Sequence, residues 1–385
     1  MKFLHLGDLH LGKSLGDFDL IKDQEFILRQ LLEIIDREAI NGVLIAGDVY
    51  DKSVPSEAAT RLLNFFLEEL AAREVNTIII SGNHDSDDRL NFGSGLFKHS
   101  HIYISAKYTG ELDRWVIDDG KSMVNVYALP FVKASQVKHY FPEAGIETYE
   151  AAVEAVLATA DIDLQAINIL VAHQFVAGKS EDPALVGSEG AGTQSVGLVE
   201  KIGYDIFEKF DYVALGHIHS PQKIGRSTVR YSGSPLKYSL SEVHNDKSVP
   251  IITIEENKAV NVELVPLKPL RDMRHIRGKM SDLLHNNDIS GRNDFIYVTL
   301  TDEDIINDAM GIFQQVYPNT VKIDYDNSRT RAAEQVDISQ IAHNKSFTEL
   351  IGDFYRLMYN CEISDEELDV MRMAAREAGI IDETN

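Results

Sequence analysis

Acidic, amide and imidazole side chains follow directly after short apolar runs at five places before residue 220. The runs are FLHLGD, VLIAGD, TIIISGNHD, INILVAHQ and YVALGHIH, and each is typical of a β-strand that stops at a glycine or polar cluster. The side chains at their ends are Asp8, His10, Asp48, Asn83, His84, Asp85, His173, His217 and His219. Because ligands collect at the carboxyl ends of strands in open α/β sheets, we expect these side chains to share one edge.

The chemistry of this set indicates a metal site. Neutral imidazole with carboxylate is a ligand set for Mn, Fe or Zn, and the absence of cysteine ligands argues against a structural zinc. Asp8 and His10 stand two residues apart, as do His217 and His219, so in extended backbone each pair faces one way. This spacing suits two neighbouring ions better than one. His5, within the first strand, is expected to be a packed or hydrogen-bonded histidine.

The first motif also matches a phosphate-binding pattern. Residues 7–14, GDLHLGKS, satisfy G-x-x-x-x-G-K-[ST] after an apolar run. A P-loop leads straight into a helix whose first amides hold the phosphates, whereas helical periodicity begins here only near Leu20. Asp8 would also place a carboxylate among those phosphates, and the later Asn and His motifs would have no role. We interpret the match as accidental.

The remaining elements predict an α/β protein. Apolar residues at three- and four-residue spacing predict helices over 20–40 and 55–73, and strands separated by helices imply a largely buried sheet. The later segments STVRYSGSPLKYS and VPIITIEENKAVNVELVPL look antiparallel. Residues 274–325 predict helix, strand, helix (303–317) and strand, a small α+β module. A polar stretch, 326–343, precedes two short amphipathic helices.

Composition narrows the class of protein. The 385 residues include 37 basic and 61 acidic side chains, a net charge of −24, which argues against coating of nucleic acid by electrostatics alone. An acidic enzyme can still act on DNA where basic residues are concentrated or a partner supplies them. The single cysteine, Cys361, excludes an internal disulfide and fits a reducing compartment. With no signal-peptide pattern and no run of about 18 apolar residues, we expect a cytoplasmic protein without a membrane partner.

In combination, GDLHLG, GDVYD, GNHD, AHQ and GHIH resemble the five phosphoesterase motifs of the calcineurin-like metallophosphoesterases. The details, including SGSPLKYSLSE after the last motif, are closer still to the group related to the Mre-type double-strand-break repair nucleases. The resemblance extends through the whole chain. It implies a four-layer α/β/β/α sandwich with a small α+β capping domain and a C-terminal helical pair. The implied domains are a nuclease domain (1–267), a DNA-capping domain (268–328) and a linker with the helix pair (329–385).

The resemblance also implies a dinuclear manganese centre, with two Mn²⁺ per chain and other divalent metals possible. By motif position, the ligands of one ion would be Asp8, His10 and His219, and those of the other Asn83, His173 and His217. Asp48 would bridge the ions, because a carboxylate has two oxygens. His84 would contact the scissile phosphate and stabilise charge or donate a proton. Asp85 would orient an imidazole from behind.

The implied activity is that of a DNA nuclease: an ATP-linked 3′–5′ double-strand exonuclease and a single-strand and hairpin endonuclease in repair, recombination and replication. It would act with an ABC-type ATPase, as a homodimer within a heterotetramer, in the cytoplasm at the nucleoid. Two alternatives are a small-substrate phosphodiesterase or phosphatase of the same fold and a non-catalytic scaffold. The capping module, basic residues and tail would be superfluous for a small substrate, and the intact ligand set argues against a scaffold.

Two regions outside the metal motifs are candidate binding surfaces. A basic cluster over 268–280, set against Asp272, consists of Lys268, Arg271, Arg274, Arg277 and Lys279. It is either a solvated linker or a contact to backbone phosphates. An apolar stripe near the C-terminus consists of Phe347, Leu350, Ile351, Phe354, Leu357 and Met358, and a second helix adds Leu368 and Met371. A capping box of Ser364 and Glu367 begins that second helix. The pair either packs on its own domain or, as the resemblance implies, docks the coiled-coil base of the ATPase.

Overall fold

The structure is a computed structural model that describes residues 1–178, 182–185, 201–285, 291–334, 347–359 and 362–377. Cys361 lies outside the described residues. The chain divides into two units, Met1–Met273 and Arg274–Asn385. The C-terminal helices belong to the same unit as the small sheet, and the domain limits at 267/268 and 328/329 stay predictions. Among the described helices, none is long and apolar enough to cross a membrane.

The first unit is built from strands and helices in alternation. Its strands are β1 (Lys2–Leu6), β2 (Ser14–Leu15), β3 (Phe18–Asp19), β4 (Gly42–Ala46), β5 (Asn76–Ile80), β6 (Ile102–Ser105), β7 (Asp113–Asp118), β8 (Met123–Leu129), β9 (Ile167–Ala172), β10 (Val176–Ala177), β11 (Ile202–Gly203), β12 (Tyr212–Leu215), β13 (Gln222–Ile224), β14 (Arg226–Tyr231), β15 (Ser248–Ile254) and β16 (Val260–Pro266). Its helices are α1 (Ile21–Glu38), α2 (Glu57–Ala72), α3 (Asp87–Leu90), α4 (Ser94–Phe97), α5 (Ala134–Lys138) and α6 (Tyr149–Ala158).

One sheet of this unit has the strand order β16-β15-β1-β4-β5-β6. Strands β1, β4, β5 and β6 are parallel, and β15 and β16 add an antiparallel pair at one side. The predicted helices over 20–40 and 55–73 are confirmed as α1 and α2. The apolar stripe of α1, including Ile27 and Leu31, is buried, and Ser56 caps α2 by accepting a hydrogen bond from the Ala59 amide at 3.2 Å.

The other large sheet has the order β13-β14-β12-β9-β8-β7. Strands β8, β9, β12 and β14 are parallel, whereas the edge strands β7 and β13 are antiparallel to their neighbours. The predicted antiparallel pair β15–β16 is confirmed. The pairing expected within STVRYSGSPLKYS is wrong: β14 pairs with β12 and β13, and the described residues 232–239 form no strand.

The two sheets pack face to face and confirm the four-layer α/β/β/α sandwich. Alternate strand residues fill the space between them, such as Leu44 and Ile78 from one sheet and Val126 and Ile169 from the other. On its outer face the second sheet packs against α6, whose Val153 belongs to that second core. Each sheet is therefore buried on both faces, which explains its nearly continuous apolar strands.

The second unit contains a small sheet of order β17-β18-β19. The first residue of β17, Met273, is the last residue of the first unit. The elements are β17 (Met273–Gly278), α7 (Met280–Leu284), β18 (Phe295–Leu300), α8 (Ala309–Val316), β19 (Thr320–Tyr325), α9 (Ser328–Glu334), α10 (Phe347–Tyr359) and α11 (Asp365–Glu377). Ile296, Val298 and Phe313 form its core. The helix expected from residue 274 is instead β17, an edge strand whose charged side chains are compatible with its position. The predicted helix over 303–317 is shorter, and Asp308 caps it.

Candidate metal centre

The candidate ligands meet where the carboxyl ends of strands from both large sheets come together. Strands β1, β4 and β5 of one sheet and β9 and β12 of the other lead into them. The expected edge is thus shared by two sheets. Ligand atoms of Asp8, His10 and His219 lie within 4.8 Å of one another, as do those of Asp8, Asp48 and His173.

The backbone turns sharply at the ligands themselves. Asp8, His10, Asp48 and His217 have φ values of 53°, 42°, 47° and 97°, a left-handed region that few non-glycine residues adopt. Each such residue costs about 1–3 kcal/mol, and this kind of strain clusters at functional sites. The backbone at the strand ends therefore places the ligands in conformations that lower local stability.

Two motif glycines are required by close approach. A Cβ on Gly82 would lie 2.1 Å from Asp48 Oδ1, and a Cβ on Gly216 would lie 1.9 Å from the Ala46 carbonyl oxygen. Neither space can hold a side chain. This explains in physical terms why the GNHD and GHIH motifs begin with glycine.

One half of the site is formed by His10, His219 and Asp8. The Nε2 atoms of His10 and His219 face each other at 3.1 Å. The Asp8 carboxylate accepts hydrogen bonds from the His217 amide at 2.9 and 3.1 Å. Asp8, His10 and His219 are all buried.

The other half gathers around Asn83. Its Oδ1 lies 3.1 Å from His173 Nε2 and 3.0 Å from His217 Nδ1. Asp48 stands between the halves, with Oδ2 at 3.6 Å from His10 Nε2 and 3.4 Å from His173 Nε2. The seven side chains that the sequence grouped are thus brought together, and Asp48 occupies the position between them.

These residues fit a pair of divalent cations. Two imidazole nitrogens that face each other at 3.1 Å can form a hydrogen bond only if one of them carries a proton, whereas a cation accepts both lone pairs. In the other half, two imidazole nitrogens converge on the amide oxygen of Asn83, a third donor atom of the kind that divalent cations accept. Carboxylate, amide oxygen and imidazole are suitable donors for Mn²⁺, Fe²⁺ or Zn²⁺.

Burial and charge perturb the site strongly. Burial raises the pKa of Asp8 to about 6. Burial opposes a charged imidazole at His173, but the Asp48 carboxylate outweighs it and raises the pKa of His173 to about 9. Burial would likewise raise the pKa of Asp48, yet the imidazoles around it lower that pKa well below its usual range. Such opposing shifts are typical of a functional site.

The open side of the centre is formed by different residues. Asn83 is exposed and His84 and His217 are half-buried, whereas Asp48 and His173 are buried. His84 is anchored at its amide, which donates to Asp48 Oδ1 at 2.9 Å, and its Nδ1 lies 3.0 Å from the Asp51 carbonyl oxygen. His84 therefore lies at the more accessible side of the cluster.

The hydrogen-bond partners given for the Asp85 carboxylate are backbone amides. The prediction that Asp85 orients an imidazole is therefore wrong. Its carboxylate accepts hydrogen bonds from the amides of Val49, Tyr50 and Gly82 at 3.1, 2.9 and 2.9 Å. It therefore joins the loops after β4 and β5. The residue that faces an imidazole is one that the sequence motifs did not indicate, Glu242, whose Oε1 lies 3.5 Å from His219 Nδ1. Only its place in the SGSPLKYSLSE segment could have indicated it.

Two predictions on the first motif are confirmed. His5 is buried, with Nδ1 at 3.0 Å from Tyr212 Oη and Nε2 at 3.2 Å from the Leu215 carbonyl oxygen. The P-loop match is accidental, because Ser14 begins the short strand β2 and α1 starts only at Ile21. Lys13 lies 2.8 Å from Asp51 Oδ1.

The basic cluster is largely ion-paired and is divided between the two units. Arg271 pairs with the buried Asp23 in the first unit. In the second unit, Arg274 lies 2.9 Å from Asp294, and Arg277 pairs with Asp326. The two lysines of the cluster, Lys268 and Lys279, are exposed.

The C-terminal helices form as predicted, and their capping box is confirmed. The Ser364 amide donates to Glu367 Oε2 at 3.1 Å, and the Glu367 amide donates to Ser364 Oγ at 3.3 Å. The side chains of Phe347, Leu357 and Met358 lie outside the described residues, and those of Leu350, Ile351 and Leu368 are half-buried. Phe354 is 50% exposed and Met371 37% exposed.

Comparison with known proteins identifies the family of the chain. Residues 1–221 match the family model described as calcineurin-like phosphoesterase, and residues 269–359 match one described as type 5 capsule protein repressor C-terminal domain. The chain is 34% identical over 381 residues to the SbcD subunit of the nuclease SbcCD from Staphylococcus epidermidis. The aligned residues cover 97% of this chain and 97% of that protein. The chain therefore belongs to the calcineurin-like phosphoesterase family and, within it, to the SbcD group.

Solved structures also match at low identity. An archaeal phosphodiesterase is 14% identical, with a TM-score of 0.31, and covers 69% of this chain and 100% of its own. A dimetal phosphatase from Danio rerio is 13% identical, with a TM-score of 0.39, and covers 70% of this chain and 98% of its own. Scores this low support no conclusion about function.

Proposed function

We propose that this chain is a dinuclear-metal DNA nuclease that works with an SbcC-type ABC ATPase. Its activities would be ATP-linked 3′–5′ exonuclease cleavage of duplex DNA and endonuclease cleavage of single strands and hairpins, in DNA repair and recombination. The observation that carries the proposal is the convergence of seven donor side chains from both sheets, Asp48 and six around it, with His84 at the open side. The full-length similarity to a protein named as a nuclease supports the choice of substrate.

Asp8, His10 and His219 would hold one Mn²⁺, and Asn83, His173 and His217 the other, with Asp48 shared. When bound, two such ions stabilise the attacking and leaving oxygens of a phosphodiester and make water more acidic. The buried side chains of the centre fix the donor atoms, while Asn83 and His217 border the open side. Other divalent ions with the same ligand preference would serve.

His84 is assigned to the reacting phosphate. Its Nδ1 is held by the Asp51 carbonyl oxygen, which fixes the tautomer with the proton on Nδ1 and leaves Nε2 as the atom that exchanges protons. A protonated Nε2 would donate a hydrogen bond to a phosphate oxygen and could pass its proton to the leaving oxygen. His84 would thus stabilise charge in the transition state without holding a metal.

DNA would be bound partly through exposed lysines. Lys268 and Lys279 are exposed and available for backbone phosphates, whereas the arginines of the cluster form ion pairs with Asp23, Asp294 and Asp326. We expect DNA affinity to fall as salt rises, and to fall less steeply in the double variant Lys268→Gln/Lys279→Gln. A salt response that is equal in both proteins would remove the cluster from the binding surface.

The partner would dock on the C-terminal helices. Exposed apolar side chains on α10 and α11, among them Phe354, Val370, Met371 and Met373, suit the base of a coiled coil. The functional complex would be a heterotetramer built on a homodimer of this chain, in the cytoplasm and near the nucleoid. ATP would be hydrolysed by the partner.

A small-substrate phosphodiesterase is the second candidate. The net charge of −24 and the ion-paired arginines favour it, because both weaken attraction to a polyanion. One assay separates the candidates. Labelled duplex, hairpin and single-stranded DNA are incubated with Mn²⁺, Mg²⁺ or chelator, beside bis-p-nitrophenyl phosphate, with and without the ATPase. Cleavage of the small ester without cleavage of any DNA would reject the nuclease.

A further inference from the structure

A buried lysine–carboxylate pair lies directly behind one of the candidate metal ligands. Glu242 is fully buried and Lys247 is 7% exposed. Lys247 Nζ lies 2.5 Å from Glu242 Oε2, and it also donates to Ser234 Oγ at 2.8 Å and to the His219 carbonyl oxygen at 2.9 Å. The pair is therefore tied both to the backbone of the last histidine motif and to the segment that follows it.

The other oxygen of Glu242 faces the imidazole. Oε1 lies 3.5 Å from His219 Nδ1 and accepts a hydrogen bond from the Tyr238 amide at 3.2 Å. The opposite ring nitrogen, Nε2, is the one that lies 3.1 Å from His10 Nε2 inside the centre. A carboxylate at Nδ1 favours the tautomer with the proton on Nδ1, and that tautomer keeps the Nε2 lone pair for a cation.

A carboxylate also faces the neighbouring ligand, at a distance too long for a hydrogen bond. His10 Nδ1 lies 3.6 Å from Asp51 Oδ1, and Asp51 Oδ1 lies 2.8 Å from Lys13 Nζ. On the other side of the centre, His173 Nδ1 is held by a neutral group, the Ala46 carbonyl oxygen, at 2.7 Å. Ion-paired carboxylates thus stand behind the two imidazoles that share one half of the site.

A buried ion pair lowers the stability of the fold unless its desolvation is compensated, so its presence here needs a functional explanation. Two charges removed from water lose hydration that their attraction only partly returns, and apolar replacements of equal volume are often as stable. The surrounding packing does not require the charges, since Tyr238 and Ser234 could be satisfied by neutral partners. An anionic acceptor, in contrast, both orients the His219 ring and raises its basicity, and a neutral partner would not do both.

We propose that Glu242, held in place by Lys247, is a positioning residue that sets the tautomer of His219 and thereby strengthens one of the two metal positions. The proposal rests on the proposed function only through the metal centre, not through the substrate. It assigns a role to the segment SGSPLKYSLSE that follows the last histidine motif.

The test measures Mn²⁺ binding to the full chain after removal of metal by chelation. The variant Glu242→Met/Lys247→Met removes both charges and the acceptor at nearly constant volume, which avoids an unpaired buried lysine. The variant Glu242→Gln/Lys247→Met keeps a neutral acceptor. The matched control is Lys237→Met/Asp272→Asn, which removes another lysine–carboxylate pair, 2.9 Å apart, that involves the same segment. Mn²⁺ is titrated by calorimetry and by the electron paramagnetic resonance signal of the free ion, and Tm is recorded for each protein.

We expect the control to bind two Mn²⁺ as the wild type does. The Met/Met variant should lose roughly 10- to 100-fold in affinity at one of the two positions, with the other position and Tm close to the control. The Gln/Met variant should regain part of that loss. Wild-type affinity at both positions in the Met/Met variant would overturn the proposal, as would equal weakening of both positions in step with Tm. If these affinities are found but the wild-type protein cleaves no DNA, the nuclease function is rejected and this inference is retained.

Discussion

The strained ligand residues are held in place by hydrogen bonds from side chains elsewhere in the fold. Gln24 of α1 donates to the carbonyl oxygens of Leu9 and His10 at 3.3 and 2.7 Å, and Tyr238 donates to the same Leu9 oxygen at 2.5 Å. Asp85 performs the equivalent task for the loops after β4 and β5. The left-handed conformations persist because these contacts over-determine them. These contacts therefore fix the backbone that carries the donor atoms.

Replacing His84 should separate catalysis from metal binding. His84→Ala removes the group assigned to the phosphate but none of the seven donors, so we expect Mn²⁺ stoichiometry to be retained and kcat to fall roughly 10²- to 10⁴-fold. Metal content by elemental analysis and single-turnover cleavage of single-stranded DNA measure the two effects. Asp48→Ala is the comparison, and it should lose both metal and activity. Full turnover by His84→Ala would show that the role is wrong.

Metal binding should strengthen as pH rises toward about 9. The Asp48 carboxylate raises the pKa of His173 to about 9, so at neutral pH His173 carries a proton that an ion must displace. Burial raises the pKa of Asp8 to about 6, which adds a second proton to displace in more acidic solution. Affinity should therefore increase between pH 6 and 9 and level off above that range, with about one proton released near pH 7.5. Calorimetry in buffers of different ionisation enthalpy counts that proton, and no dependence on the buffer would contradict the assignment.

At the scale of elements, hydrophobic periodicity was sufficient for the long helices and the buried strands. Helices α1 and α2 lie within two residues of their predicted bounds, because each carries a continuous apolar stripe. Strand β17 was missed, since its arginines gave it the composition of a solvated linker, and ion pairs with Asp294 and Asp326 are long-range contacts that a local pattern does not contain.

In the site too, local sequence signals were sufficient and long-range contacts were missed. The seven ligands could be grouped from sequence because each follows a strand end, a local signal. The role of Glu242 could not, because its meaning depends on an imidazole 23 residues away along the chain and on the burial of Lys247. Asp85 was misassigned for a related reason: its neighbours in sequence are ligands, but its hydrogen-bond partners are amides of two loops.

The loop glycines provide a test of how closely the elements approach. A Cβ on Gly82 would collide with Asp48 Oδ1 at 2.1 Å, whereas a Cβ on Gly95, in helix α4, meets no atom within 4 Å. We expect Gly82→Ala to displace Asp48 and weaken Mn²⁺ binding by at least about tenfold, and Gly95→Ala to leave binding unchanged. Titration of both variants with Mn²⁺, with Tm as a check on folding, makes the comparison. Equal binding by the two variants would show that the loop after β5 can move away from Asp48.

At the scale of the whole molecule, a chain of net charge −24 must obtain its affinity for DNA locally or from a partner. The described arginines of the basic cluster are engaged in ion pairs, which reduces its contribution mainly to the exposed Lys268 and Lys279. For the proposed nuclease, this balance predicts efficient DNA cleavage only inside the complex with the ATPase. The partner would then supply both ATP hydrolysis and most of the electrostatic attraction.

The partner surface can be tested without disturbing either core. Phe354 and Met371 are 50% and 37% exposed, so Phe354→Asp/Met371→Asp should leave Tm nearly unchanged while introducing charge into an apolar interface. Because a buried apolar anchor contributes about 2 kcal/mol or more to binding, we expect affinity for the coiled-coil ATPase to fall at least roughly 100-fold. Removal of residues after 340 should have the same effect on association, and both proteins should retain Mn²⁺-dependent cleavage of single-stranded DNA. The control is Leu164→Asp, at a 67% exposed apolar residue of the first unit. Co-purification and analytical ultracentrifugation measure the complex, and wild-type association by the double variant would place the ATPase elsewhere on the chain.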